Sequence, residues 1–154
     1  MEQPHRSRRQ LMEAHQIRFS VHGTAAAARS ARQQLANGIR RWDASLDQDL
    51  LNTAELVAAE LLTNAVRHAG HGPISAGARL DGERLLIEVT DASHTVPRAG
   101  LPDMEAEGGR GLFLVAALAD RHGVDPLPSG KRCWAEFKVG GPLQPSRHVP
   151  LQRS

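Results

Sequence analysis

Between Leu46 and Thr90 the spacing of apolar residues changes period, and that change limits what the stretch can become. Leu50, Leu51, Ala54, Ala58, Leu61, Leu62 and Ala65 recur at helical spacing and predict one long helix over residues 46–68. Gly70 and Gly72 then end it. From Ile74 the period drops to two. Residues 74–80 and 84–90, joined by an Asp81-Gly82 turn, read as a β-hairpin.

The flanking sequence extends this pattern. Ile17-Arg-Phe-Ser-Val21 alternates like a half-buried strand. Thr24 is the expected N-cap of a helix that runs to about Trp42, with an apolar stripe from Ala26, Leu35 and Ile39. Residues 92–109 form a long linker containing Pro97, Gly100, Pro102, Gly108 and Gly109; such loops inside a domain are functional or mobile. Leu112–Ala119 reads as a short apolar helix. Residues 122–127 and 132–139 read as two more strands, joined through Pro128-Ser-Gly130. The order β-α-α-β-β-loop-α-β-β predicts an α+β fold: a two-layer α/β sandwich whose mixed, mostly antiparallel sheet carries helices on one face. A doubly wound parallel sheet would need strictly alternating strands and helices. The domain is expected over residues 16–139. A flexible basic tail (residues 1–15) precedes it, and a Pro-containing tail (residues 140–154) follows.

Composition narrows the function classes. With 154 residues the chain suits a single domain, and with two Trp, three Phe and no Tyr its core must come mainly from Leu, Val and Ala. The formal net charge is +2, with the excess in the ends, notably Arg6, Arg8 and Arg9. That is a solvated tail rather than a basic face for nucleic acid. The single Cys133 excludes an internal disulfide and a multi-cysteine zinc site; in an alternating run it reads as a small buried hydrophobe. The eight histidines show no metal spacing, and Ser20, Ser30 and Ser45 lack the glycine-flanked elbow of a serine hydrolase. No signal-peptide core and no membrane-length apolar run is present, so a cytoplasmic location without membrane attachment is expected.

Three places carry chemistry. Glu60 and Asn64 stand one helical turn apart on the long helix, and Thr63, Arg67 and His68 extend the same polar face. The stripe fits solvent exposure. It also fits a metal–phosphate site, with Asn64 as a neutral oxygen ligand to Mg²⁺ and Glu60 accepting a proton. Asp91 shares strand parity with Leu85, Ile87 and Val89. It is either a turn residue past the strand end or a buried carboxylate for a ligand amine such as that of adenine. Gly108-Gly-Arg-Gly111 precedes a helix start and suits either a plain linker or close approach of an anion to helix N-terminal amides. Arg110 fits phosphate contact or simple solvation. Neither a P-loop nor a dinucleotide-binding fingerprint is present. Arg29, Arg32, Arg40 and Arg41 on the first helix fit a partner or dimer surface, or solvation alone.

Taken in order, Glu60-x-x-x-Asn64, Asp91 and Gly109-x-Gly111 resemble the GHKL (Bergerat-fold) ATP-binding superfamily. Within it they resemble the histidine-kinase-like ATPase domain of anti-sigma-factor serine/threonine kinases. Residues 60–69 look like its N box, and residues 109–115, continuing to Asp120, like its G2 box and following helix. Gly130-Lys131 before Cys133-Trp134 looks like its last turn and strand. The resemblance implies ATP held between helices and a lid over residues 94–108. It implies Asn64 as the Mg²⁺ ligand, Glu60 as the catalytic base, Asp91 on the adenine amine, and Gly109, Arg110, Gly111 and Leu112 along the phosphates. Its implied activity is Mg-ATP-dependent phosphorylation of a serine on a STAS-domain anti-anti-sigma partner in transcriptional control. The alternative is a nucleotide-gated module that binds a sigma factor or regulator without kinase activity. Where many members have Asp-x-Gly-x-Gly, this chain has Asp91-Ala-Ser-His-Thr95.

Overall fold

The computed structural model describes residues 15–42, 46–68, 70–95 and 107–139, with the side chains of 107–111 excepted. Most of the linker expected at 92–109, and both expected tails apart from His15, lie outside the described residues. Strand β1 (Gln16–Val21) leads to Thr24, whose extended backbone and side chain cap the first helix: its Oγ1 accepts the Ala27 N–H at 3.0 Å. Helix α1 (Ala25–Arg41) buries Ala28, Ala31, Leu35, Ala36 and Ile39. Ala26, expected in that stripe, is exposed instead. It precedes Leu35 by two and a half turns of helix, which puts it on the opposite side.

Helix α2 (Gln48–His68) buries the predicted apolar positions except Leu51, which is half-buried, and adds Val57 and Asn64. Gly70 follows with φ +65°, the left-handed backbone that ends helices cheaply only at glycine. Strands β2 (Ile74–Asp81) and β3 (Arg84–Asp91) form the hairpin. Its turn is Gly82-Glu83, one residue later than expected, because Asp81 pairs with Arg84 and Gly82 takes the positive φ of +60°.

Helix α3 (Glu107–Leu118) starts earlier than the sequence suggests, so Gly108, Gly109 and Gly111 lie in helical backbone rather than before it. Glycine is a poor helix former, but burial of Leu112 and Val115 in the core anchors the segment and outweighs local preference. Strands β4 (Arg121–Leu127) and β5 (Gly130–Lys138) complete a five-stranded sheet of order β1-β2-β3-β5-β4. The fold is the expected two-layer α+β sandwich, and all four strand pairings are antiparallel.

Helix α2 is the middle helix, packed on α1, on α3 and on the sheet. Beneath it run two inward-facing rows, Leu85, Ile87 and Val89 on β3 and Cys133, Ala135 and Phe137 on β5, all buried. The outward face is charged. Arg132 bonds Glu88 and Asp125, Arg18 bonds Glu88, and Arg84 and Arg121 both reach Glu136. Trp134 lies there too, its ring across Gly123, where a Cβ would stand 2.8 Å from the indole. The Arg132 guanidinium sits 5.9 Å over the same ring. Among the described residues no helix is long and apolar enough to cross a membrane.

Candidate functional site

The two inward rows are in register. Leu85 pairs with Phe137, Ile87 with Ala135, Val89 with Cys133, and the last pair is Asp91 with Lys131. Strand parity therefore forces a carboxylate and an ammonium into the core at one end of the sheet. Their side chains are each 1% exposed, and Lys131 Nζ donates to Asp91 Oδ1 at 3.0 Å. The Ser93 N–H also donates to Oδ1, at 2.8 Å, and the Thr95 N–H donates to Ser93 Oγ at 3.1 Å. Asp91 is thus a buried strand residue, not a turn residue past the strand end.

Gly130 makes this closure possible. A Cβ there would lie 1.9 Å from the Asp91 carbonyl oxygen, so any side chain would push β5 away from the end of β3. The charged pair also reaches its neighbours. Burial raises the Cys133 thiol to about 11, with Lys131 opposing and Asp91 adding to the shift. Partial burial, then the positive charges of Lys131 and Arg67, hold His68 below its ordinary value, with Asp91 opposing. The C-terminal end of α2 is therefore within electrostatic reach of Asp91 and Lys131.

One turn back along α2, Asn64 is buried, 2% exposed. The solvent-exposed stripe holds for Thr63, Arg67 and His68 but not for Asn64, which lies between buried Leu61 and Ala65; Glu60 is half-buried. Neither polar atom of the Asn64 amide has a hydrogen-bond partner, nor does Asp91 Oδ2. Among the described residues, Arg32 Nε is the one other buried side-chain polar atom without a hydrogen bond, and it has the Glu55 carboxylate at 3.9 Å. An unmet buried polar group costs about 1–3 kcal/mol, so folded proteins rarely keep several in one region without a ligand or water for them.

These atoms fit a nucleotide. Asp91 Oδ2 has its acceptor positions open, and Asn64 Oδ1 offers a neutral oxygen of the kind Mg²⁺ takes alongside phosphate and water. No cluster of three or more His, Cys, Asp or Glu side chains that could hold a metal occurs among the described residues, so such an ion would depend on the ligand's own oxygens. The side chain of Arg110 lies outside the described residues, as do residues 96–106 of the expected lid. Leu112 turns its side chain into the core, and its N–H falls past the first turn of α3, within the helix's own hydrogen-bond ladder. Lys131 was readable only as part of a turn and strand. Its parity with Cys133, opposite to that of Arg132, Trp134 and Glu136, was the signal for its inward position.

The first helix's arginines divide. Arg32 and Arg40 approach Glu55 of α2 at 3.9 and 3.5 Å, whereas Arg29 and Arg41 are exposed. A groove of about 350 Å³ between α1 and α2 is lined by Ala28, Arg29, Arg32, Thr63, Val66 and Arg67. Asn64, Asp91 and Lys131 take no part in it.

Among solved structures the chain is similar to the RsbU and RsbW domains of Rv1364c from Mycobacterium tuberculosis. The identity is 19% and the TM-score 0.63, over 84% of this chain and 34% of that one. It thus spans about a third of that protein's length, and the likeness is one of fold. It also matches the histidine kinase domain of a blue-light-activated histidine kinase from Erythrobacter litoralis. There the identity is 20% and the TM-score 0.49, over 75% of this chain and 60% of that one. Comparison with curated proteins gives no match. The sequence model of the histidine kinase-like ATPase domain matches residues 21–135, a span that contains Glu60, Asn64, Asp91 and Lys131, and the chain belongs to that family.

Proposed function

We propose that Asp91 and Asn64 hold Mg-ATP and that Glu60 is the base for phosphoryl transfer to a serine of a STAS-domain anti-anti-sigma partner. The observation that carries this reading is the set of unpartnered buried atoms: Asp91 Oδ2 and both polar atoms of Asn64. Asp91 Oδ2 accepts the exocyclic amine of adenine. Asn64 Oδ1 would hold the metal, which would supply positive charge against the phosphates. Of the residues expected along the phosphates, Gly109 lies in the first turn of α3, where backbone N–H groups have no intrahelical acceptor and can meet phosphate oxygens, whereas the N–H groups of Arg110, Gly111 and Leu112 fall within the helix's own hydrogen-bond ladder. Glu60 takes the proton of the partner's serine hydroxyl as its oxygen bonds to the γ-phosphorus and ADP departs. The missing glycines after Asp91 are offset by side-chain turns, since Asp91 Oδ1 and Ser93 Oγ fold the segment through Thr95.

A second reading is a nucleotide-gated module that captures a sigma factor or STAS regulator without transfer. It draws on exposed Arg29 beside the groove between α1 and α2, a surface separate from Asn64 and Asp91. γ-Phosphate transfer to a STAS-domain protein, measured with wild type and Glu60→Gln, separates the two. The kinase reading expects Glu60→Gln to keep ATP binding and lose about 100-fold or more in transfer. Transfer at the wild-type rate by the variant removes the role of Glu60. Partner capture with no transfer by the wild type favours the module.

A further inference from the structure

The Asp91 carboxylate is asymmetric. Oδ1 already accepts two N–H groups, one from Lys131 and one from the Ser93 backbone, whereas Oδ2 is buried and accepts none. A free carboxylate can receive two adjacent donors from one planar ligand edge, one on each oxygen. This one has a single oxygen left. Lys131 is itself 1% exposed, with Asp91 Oδ1 as its hydrogen-bond partner among the described residues.

We propose that Lys131 sets the base specificity of the site by occupying Asp91 Oδ1 and restricting the carboxylate to a single oxygen, which can meet one of two parallel donors in line. The inference rests on the nucleotide-binding reading above. Adenine presents one exocyclic amine beside a ring nitrogen acceptor, and Oδ2 can take one N–H of that amine in line. Guanine presents two adjacent, parallel donors, the ring N1–H and the 2-amino group, and a single oxygen meets only one of them in line, which leaves the other bent or unmet in a buried site. Hypoxanthine has the ring N1–H without the 2-amino group, so it asks for one acceptor, as adenine does. The unmatched guanine donor predicts discrimination of about 10- to 100-fold. A carboxylate with both oxygens free would reverse the order of the last two bases and prefer guanine to hypoxanthine.

The test is equilibrium binding of ATP, ITP and GTP to the full chain with Mg²⁺, for wild type and Lys131→Met. Wild type is expected to bind ATP, then ITP, then GTP, with GTP at least about tenfold weaker than ITP. Lys131→Met opens one acceptor position on Oδ1, the other staying with the Ser93 N–H, and is expected to bring GTP level with ITP or ahead of it. Removing one partner of a buried ion pair is costly, so a thermal melt of the variant accompanies the titration. If that variant does not fold, the wild-type ratio of ITP to GTP decides alone. GTP binding as tight as ITP in the wild type overturns the proposal. So does a folded Lys131→Met with unchanged ratios, and either result leaves nucleotide binding intact. Binding of none of the three overturns the nucleotide reading and this inference together.

Discussion

Lys131 and Asp91 are cross-strand partners in the last rung of the β3–β5 ladder, and their charged groups meet at 3.0 Å with both side chains out of solvent. Burying two charges is expensive, and an apolar pair of similar volume would serve stability as well or better. Their presence is better explained by what they hold in place. Lysine and the Ser93 N–H fix the carboxylate's rotation, so that one oxygen faces lysine and backbone while the other is left without a hydrogen-bond partner.

Asn64→Leu is expected to stabilise the chain without ligand while abolishing Mg-ATP binding. The leucine has similar volume and removes two buried polar atoms that have no partner, worth about 1–3 kcal/mol. Chemical denaturation with and without Mg-ATP checks both effects at once. A variant less stable than wild type, with its ATP-dependent stabilisation retained, would show that the amide serves the fold rather than a ligand.

Cys133 is expected to be inert to thiol reagents at neutral pH in the native protein. Burial raises its pKa to about 11 and its side chain sits beneath α2, so both the thiolate fraction and access are small. Labelling should become fast only in denaturant. Rapid labelling of the folded chain would mean that β5 opens readily from the helical layer.

His68 gives the stability curve a slope below neutrality. Burial, Lys131 and Arg67 hold its folded pKa under the ordinary value, so the fold favours the neutral ring. As pH falls through about 6.5 the unfolded chain takes the proton first. The stability from this residue is therefore complete above that value and declines toward the folded pKa. Denaturation curves at about pH 7.5 and about pH 5.5 should converge in His68→Gln relative to wild type. An equal difference in both proteins would detach His68 from the slope.

The sheet was legible because its signal is local. Leu85, Ile87, Val89 and Asp91 share parity whatever surrounds them, and Gly82 marks the hairpin whether or not its partner strand is known. Thr24 likewise carried its own helix start. Asn64 was harder. Its place one turn from Glu60 reads equally as an exposed stripe, and its burial depends on neighbouring elements that a helical wheel cannot see. The start of α3 was misplaced for a related reason: glycines are read as breakers, while the packing of Leu112 and Val115 is a tertiary fact. Lys131 went unrecognised because its partner lies forty residues earlier, and no local period links a lysine to a distant aspartate.

The position of that rung has a consequence for folding. β3 leaves its hairpin with Asp91 alone at its end, and the lysine arrives only when the C-terminal hairpin of β4 and β5 has docked, a contact between residues forty apart in the sequence. A molecule whose local opening frays that hairpin keeps α2, β2 and β3 yet presents a carboxylate without its lysine, held by the Ser93 N–H alone. Under the proposed nucleotide reading, ligand binding and docking of the last hairpin are then linked, and the edge strand β4 is carried along with it.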